Sequence, residues 1–149
     1  YTLGREAGLE WYCQPRNGFR FGLKGQAYTG VCPAPSEPAF LQAWSAGKEI
    51  HAAEYEVRRL DRILGVNQDQ LDSLIGDREL TENELVQRGT TWQRRAELLL
   101  ELRELEETVT MVENEIYEIE SAISRERARL LALRQNAGHW ETAGQTSRR

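Results

Sequence analysis

The sequence predicts a mainly α-helical protein, in which a small disulfide-closed head precedes a long antiparallel coiled-coil hairpin that turns near Gly89. Three observations support this fold class. Seven of the twelve glycines lie before residue 48, and all four prolines lie before residue 39. The rest of the chain is rich in arginine and acidic residues, and its apolar residues recur at alternating spacings of three and four. The two cysteines, Cys13 and Cys32, both lie in the glycine-rich part.

Composition excludes several classes of protein. The 149 residues carry a formal net charge of −5, and 29% of them are charged. No unbroken apolar run comes near the roughly 18 residues that a membrane span needs. The acidic balance argues against nucleic-acid binding. Two cysteines and two histidines are too few for a zinc cage, so we expect no metal and no cofactor.

Common catalytic motifs are missing from the sequence. It has no Gly-x-x-x-x-Gly-Lys-Ser/Thr phosphate loop, no Gly-x-Ser-x-Gly nucleophile motif and no His-Glu-x-x-His zinc motif. His51 lies in the first arm and His139 in the tail, so a nucleophile–histidine pair would have to form on helix surfaces. We therefore expect a non-enzymatic protein without a small-molecule substrate.

Apolar residues mark two helical arms. The first begins at Ser36, an N-cap residue followed by an acid and by Pro38 in the first turn. Its apolar series is interrupted at Asn67 and consists of Ile50, Ala53, Val57, Leu60, Leu64, Leu71 and Leu74. The second series is interrupted only at Glu126 and consists of Leu98, Leu102, Leu105, Val109, Val112, Ile116, Ile119, Ile123, Leu130 and Leu133. Such alternation over about five heptads predicts a coiled-coil seam.

Two sites compete for the turn between the arms. One is Gly89, a helix stop signal that two threonine caps follow. The other is the segment from Gly76 to Thr81, where a capping box starts. Charge favours Gly89, because facing residue numbers then sum to about 179 and Glu54 lies opposite Arg127. We expect the chain to turn at Gly89.

The predicted organisation has three parts. They are a head over residues 1–35, a hairpin over residues 36–134 with arms at about 36–88 and 91–134, and a polar tail over residues 135–149. Because the tail is polar, we expect it to be flexible. Trp140 is the exception, since it can dock onto the head in the register that Gly89 gives.

The two cysteines predict how the head is closed. Cys13 and Cys32 flank a glycine-rich segment that is too poor in apolar residues for a large core. A disulfide across such a loop contributes about 3 kcal/mol in the chain-entropy model. It favours an oxidising compartment. The alternative is a pair of buried free thiols in a cytosolic protein.

Aromatic residues of the head have two possible roles. Trp11, Tyr12, Phe19 and Tyr28, with others, suffice for a small core. Alternatively, some of them form a recognition surface for a glycan, a peptide or a protein, together with polar neighbours. The candidate residues for that surface are Trp11, Tyr12, Arg16, Asn17, Phe19, Arg20 and Tyr28.

Several motifs in fixed order resemble one known family. They are Gly4-Arg5-Glu6-Ala7-Gly8-Leu9, Tyr12-Cys13-x-Pro15-x-Asn17-Gly18, Gly22-x-x-Gly25-x-x-Tyr28-x-Gly30-Val31-Cys32-Pro33 and Glu37-Pro38-Ala39-Phe40-Leu41. Over residues 1–64 the chain resembles the Gram-negative envelope lipoproteins of domain of unknown function 2799. The resemblance implies a periplasm-facing, outer-membrane-anchored protein whose precursor carries a signal peptide and a lipid-modified cysteine. Membrane contact is then expected only through an anchor outside residues 1–149. The family supplies no reaction.

Two classes of function follow. The first is a structural or interaction protein of the cell envelope, a scaffold or adaptor whose hairpin arms bind a protein partner or a second copy. The second is a module whose head binds envelope glycan or peptide, with the arms as a spacer. The long heptad seam favours the first, because a two-helix hairpin buries only one stripe of each helix.

Overall fold

The computed structural model describes residues 2–142 and contains four helices. They are α1 (Thr2–Tyr12), α2 (Pro15–Leu23), α3 (Glu37–Val86) and α4 (Trp92–Thr142). No strand occurs in this part of the chain. The contacts between α3 and α4 form the long helical hairpin. The mainly α fold with a helical hairpin is therefore confirmed.

The hairpin turns at Gly89, as predicted. Gly89 has a φ of +101°, a left-handed conformation that glycine adopts without steric cost. The Thr91 hydroxyl caps α4 by accepting the backbone N–H of Arg94 at 3.2 Å. The alternative turn is wrong, because residues 76–81 lie inside α3 and the Thr81 hydroxyl donates to the carbonyl oxygen of Asp77 at 2.8 Å.

The chain divides into two compact units. We call residues 1–58 with 125–149 the head unit, and residues 59–124 the arm unit. The head unit thus contains the first turns of α3 and the last turns of α4, in addition to α1 and α2. The predicted head of residues 1–35 lies within the head unit, and its aromatic side chains pack on α3.

Two buried clusters form the core of the head unit. One joins Phe19 of α2 to residues of both long helices, and its buried members are Phe19, Ala43, Ile50 and Ala137. The other surrounds the disulfide, and its buried members are Cys13, Cys32 and Phe40. Tyr12 stacks on Phe40 with ring centroids 5.9 Å apart, and Tyr28 lies 5.2 Å from the same ring. The head therefore folds by packing on α3.

The segment predicted as a flexible tail is partly helical. Residues 135–142 continue α4, so the prediction is wrong for them, and residues 143–149 lie outside the described residues. Ala137 is buried, and Trp140 packs against the cluster around Phe19. These two residues extend the three–four spacing beyond Leu133, which explains why the helix continues. The docking of Trp140 in the head unit is confirmed.

Helices α2 and α3 approach so closely that glycine is required at their crossing. A Cβ atom at Gly22 would collide with the carbonyl oxygen of Trp44 and lie 2.7 Å from the backbone nitrogen of Lys48. One at Gly47 would collide with the carbonyl oxygen of Phe19. Backbone atoms cannot rotate away as a flexible side chain can. The close approach of α2 and α3 is therefore possible only because Gly22 and Gly47 have no Cβ atom.

Replacing Gly22 by alanine tests this packing. We expect Gly22→Ala to lower the free energy of unfolding by about 1–3 kcal/mol, the usual cost of overpacking. Gly138→Ala is the matched control, because Gly138 lies inside α4, where an added Cβ atom would have open space around it. Helix propensity predicts that this control stabilises by about 0.5–1 kcal/mol. Urea denaturation followed by circular dichroism measures both. Equal shifts of the same sign would contradict the close-packed crossing.

In the arm unit the seam is incompletely covered. Its buried residues all lie on α4 and are Leu98, Val109, Val112 and Ile123. The seam residues of α3 in this unit are only half-buried, and they are Leu60, Leu64, Leu71 and Leu74. Two helices alone thus leave part of each apolar stripe open to solvent.

Candidate interaction surface

The disulfide is the first predicted site that the structure contains. Cys13 and Cys32 are bonded, with their Cα atoms 5.6 Å apart, and no free cysteine occurs in the sequence. The bond joins the end of α1 to the loop before α3. It closes the cluster in which Phe40 is fully buried. Its role is therefore to hold α1 and this loop against α3.

Phe19 is not part of a surface. Only 3% of it is exposed, because it fills the core between α2, α3 and α4. Tyr12 and Tyr28 are half-buried against Phe40. The Tyr28 hydroxyl donates to Glu37 at 2.8 Å and accepts the backbone N–H of Cys32 at 3.0 Å. Partial burial raises the pKa of Tyr28 above its ordinary value. These three aromatic residues serve packing.

The other candidates of the head reach solvent to different extents. Trp11 is 67% exposed and Arg20 is also exposed, whereas Arg16 and Asn17 are half-buried. The Asn17 side chain donates to the carbonyl oxygen of Trp11 at 2.8 Å and so links α1 to α2. Arg16 and Arg20 line a small groove of about 210 Å³ that also contains Glu141. The head thus offers Trp11 and two arginines to a ligand.

In the head unit the two long helices keep the predicted register, in which facing residue numbers sum to about 179, since Ala46 and Gln42 share one cavity with Leu133 and Ala137. Glu54, for which Arg127 is the predicted facing residue, accepts a hydrogen bond from Arg134 at 2.6 Å. Arg134 lies one heptad beyond Arg127, so both occupy the same position of the repeat. The long Arg134 side chain therefore reaches along the predicted edge to Glu54 without a shift of the helices, and an exposed ion pair of this kind contributes only about 0.2–1 kcal/mol.

Near the turn, one arginine ties the ends of the arms together. Arg94 donates two hydrogen bonds to Glu84, at 2.8 and 3.1 Å, and one to Glu101 at 2.9 Å. The bonds from Arg94 hold the pKa of Glu84 below its ordinary value. The hydroxyl of Thr90 donates to the carbonyl oxygen of Glu84 at 2.9 Å, which adds a backbone tie. The turn is therefore fixed by side chains of both helices.

An apolar groove lies between α3 and α4 in the arm unit. It has a volume of about 410 Å³ and is lined by Ile63, Asn67, Asn114, Glu115, Glu118 and Ile119. Asn67 occupies a seam position, but its amide turns back and donates to the carbonyl oxygen of Ile63 at 3.0 Å. The groove thus lies beside a polar residue of the seam.

A second groove continues the same face of α4. Its volume is about 350 Å³, and it is lined by Glu101, Glu104, Leu105 and Thr108. Glu101, Glu104 and Leu105 precede Glu115, Glu118 and Ile119, respectively, by two heptads each. Residues two heptads apart share one side of a coiled-coil helix. The two grooves therefore lie on one flank of the hairpin, which we call the groove face.

Large apolar side chains are exposed on the groove face. Met111 lies one heptad from Glu104 and from Glu118, and it is 61% exposed. Val66 and Leu80 of α3 are 67% and 69% exposed and are two heptads apart. Val66 follows Ile63 by three residues, which places it at the edge of the groove. Sequence reasoning missed this face, although the interruption at Asn67 was a signal for it.

Two features are absent from residues 2–142. No helix in this range has an apolar stretch long enough to span a membrane. Nor does any group of three histidine, cysteine, aspartate or glutamate side chains in the described part of the chain have a geometry that could hold a metal ion.

The comparisons with known proteins concern the head alone. No curated protein and no solved structure matches the chain. Residues 1–49, a third of the chain, match the family described as protein of unknown function (DUF2799). The match ends before residue 64, the predicted limit of the resemblance. Its segment includes α1, α2, the disulfide and Phe40. The predicted resemblance of the head to this family of unknown function is thereby confirmed over residues 1–49.

Proposed function

We propose that this protein is a non-enzymatic scaffold or adaptor of the cell envelope that binds a protein through its helical hairpin. The observation that carries the proposal is the groove face of the arm unit. There the seam is only half-covered, and Val66, Leu80 and Met111 expose most of their side chains. Burying apolar area of this kind contributes about 25 cal/mol per Å². A partner that covers this face therefore gains affinity from it.

Two further observations support parts of the proposal. The disulfide between Cys13 and Cys32 favours an oxidising compartment such as the periplasm. The matched family is described only as of unknown function, so placement at the outer membrane through a lipid anchor is part of the proposal and rests on the motif resemblance given above. The lack of catalytic motifs in the sequence supports a binding role over a reaction.

Site-specific photo-cross-linking in the native envelope tests the role of the hairpin. A photoreactive benzoylphenylalanine replaces Met111 on the groove face in one variant and Tyr117 in a second, and mass spectrometry identifies the adducts. Tyr117 is similarly exposed at 68% but lies at a heptad position that lines neither groove. We expect protein adducts from position 111 and none from position 117.

A third variant separates this role from binding by the head. It carries the same photoreactive residue at position 11, where Trp11 is exposed. If position 11 yields adducts of peptidoglycan or peptide and position 111 yields none, the scaffold role is wrong and the head is a binding module. Protein adducts from position 111 alone support the scaffold role.

A further inference from the structure

We propose that the groove face binds a basic amphipathic helix of another protein, as the third helix of a bundle. This inference rests on the proposed role of the hairpin and names the class of its partner. Three properties of the groove face argue for it: its shape, its exposed apolar residues and its charge.

The shape fits one helix. The two grooves lie along α4 at residues 101–108 and 114–119, and together they span about 27 Å at 1.5 Å per residue. This length corresponds to about five turns of a docked helix. Half-buried seam residues, Leu105 and Ile119, line the grooves, and Val66 and Met111 stand exposed on the same face. An apolar stripe on the partner would cover these side chains, as in other helix-in-groove complexes.

The charge of the groove face selects the partner. Helix α3 has no lysine or arginine between Arg62 and Arg78, and α4 has none between Arg103 and Arg125. The same two stretches contain three aspartates and seven glutamates on all sides of the two helices, a net charge of −10, and three of these glutamates, Glu104, Glu115 and Glu118, lie exposed on the groove face. A second copy placed on this face would bring an equal negative charge, and like charges at an interface are unfavourable. The negative electrostatic potential of this face therefore favours a partner rich in lysine or arginine.

Carboxylates at the edge of the grooves are available to such a partner. Glu104, Glu115 and Glu118 are exposed, and no basic side chain of residues 2–142 forms an ion pair with them. Glu101 differs, because Arg94 occupies its carboxylate near the turn. The partner's cations would therefore lie beside Glu104, Glu115 and Glu118, flanking the apolar stripe.

The test uses the full chain and a defined probe. The probe is a fluorescent 18-residue helical peptide with leucine on one face and lysine on the other, and fluorescence anisotropy measures its binding. A scrambled peptide of equal composition and a peptide with glutamate in place of lysine are the controls. We expect the basic amphipathic peptide to bind at least tenfold more tightly than either control.

Two charge-reversed variants locate the binding surface. The first is Glu104→Lys/Glu115→Lys/Glu118→Lys on the groove face. The matched control is Glu106→Lys/Glu113→Lys/Glu120→Lys, three exposed glutamates at heptad spacing on the opposite flank of α4. Both variants change the net charge by the same amount. We expect the first to lose at least tenfold in affinity and the second to change it less than threefold.

Each alternative result overturns the proposal. Equal losses in both variants would mean that the peptide senses only the overall charge of the chain. If the scrambled peptide binds as tightly as the basic amphipathic peptide, the groove face does not recognise an apolar stripe. If position 111 cross-links to a protein through an acidic segment or to a second copy, the role of the hairpin stands and the basic partner is wrong. If position 111 yields no protein adduct, the proposed function itself fails.

Discussion

Truncating the buried ring of Phe40 is expected to lower the free energy of unfolding by about 3–5 kcal/mol. Phe40 has no exposed surface and lies among Tyr12, Phe21, Tyr28 and the disulfide. Phe40→Ala removes the ring on which these groups pack and leaves a cavity, since the disulfide limits how far they can collapse. Urea denaturation under oxidising conditions, followed by circular dichroism, measures the loss.

Trp11→Ala is the matched control for this variant. It removes a larger ring, but most of Trp11 is exposed, so the expected change is within about 0.5 kcal/mol. Its backbone carbonyl still accepts the hydrogen bond from Asn17. A loss of less than about 1 kcal/mol in Phe40→Ala, or equal losses in both variants, would contradict the placement of Phe40 at the centre of the head.

Removal of the disulfide has the second large expected effect. The double variant Cys13→Ser/Cys32→Ser should lose about 2–5 kcal/mol of the free energy of unfolding, since the bond restricts the unfolded chain and packs against Phe40. Amide hydrogen exchange should show the loss of protection in α1 and α2. The arm unit contains neither cysteine, so its amides should exchange at nearly unchanged rates.

Reduction provides the control for the disulfide. The wild-type protein in dithiothreitol should unfold at the same urea concentration as the double variant, and dithiothreitol should not affect the variant. Equal midpoints for oxidised and reduced wild-type protein would show that the bond does not stabilise the head. Such a result would also weaken the argument for an oxidising compartment. The effects of Phe40→Ala and of reduction should not add, because both act on one cluster.

The end of α4 shows how far sequence patterns extend. The seam is clear through Leu133, and Ala137 and Trp140 continue its spacing, yet the polar residues of this segment favoured a flexible tail. The helix persists because Ala137 and Trp140 pack on Phe19 of α2, a contact between distant parts of the sequence. Tertiary packing here outweighs a weak local helix propensity.

The aromatic residues of the head show what sequence composition does not predict. Composition cannot separate an aromatic residue of the core from one of the surface when a small segment contains both. Phe19 and Trp11 are eight residues apart, and the structure buries the first and exposes the second. The crossing at Gly22 and Gly47 decides this, because it brings α2 against α3 with Phe19 on the inner side.

The sequence by itself predicted the two long helices, the turn at Gly89 and the disulfide between Cys13 and Cys32, because these depend on apolar spacing, on a helix stop signal supported by charge, and on a glycine-rich loop between the only two cysteines. It did not predict the helices α1 and α2 of the head. Only the tertiary structure decided which head aromatics are buried, how far α4 continues and where the groove beside Asn67 lies. A heptad repeat identifies which face of a helix is buried, because it depends on local spacing. It does not reveal contacts between segments distant in the sequence, such as that of Phe19 with Ala137.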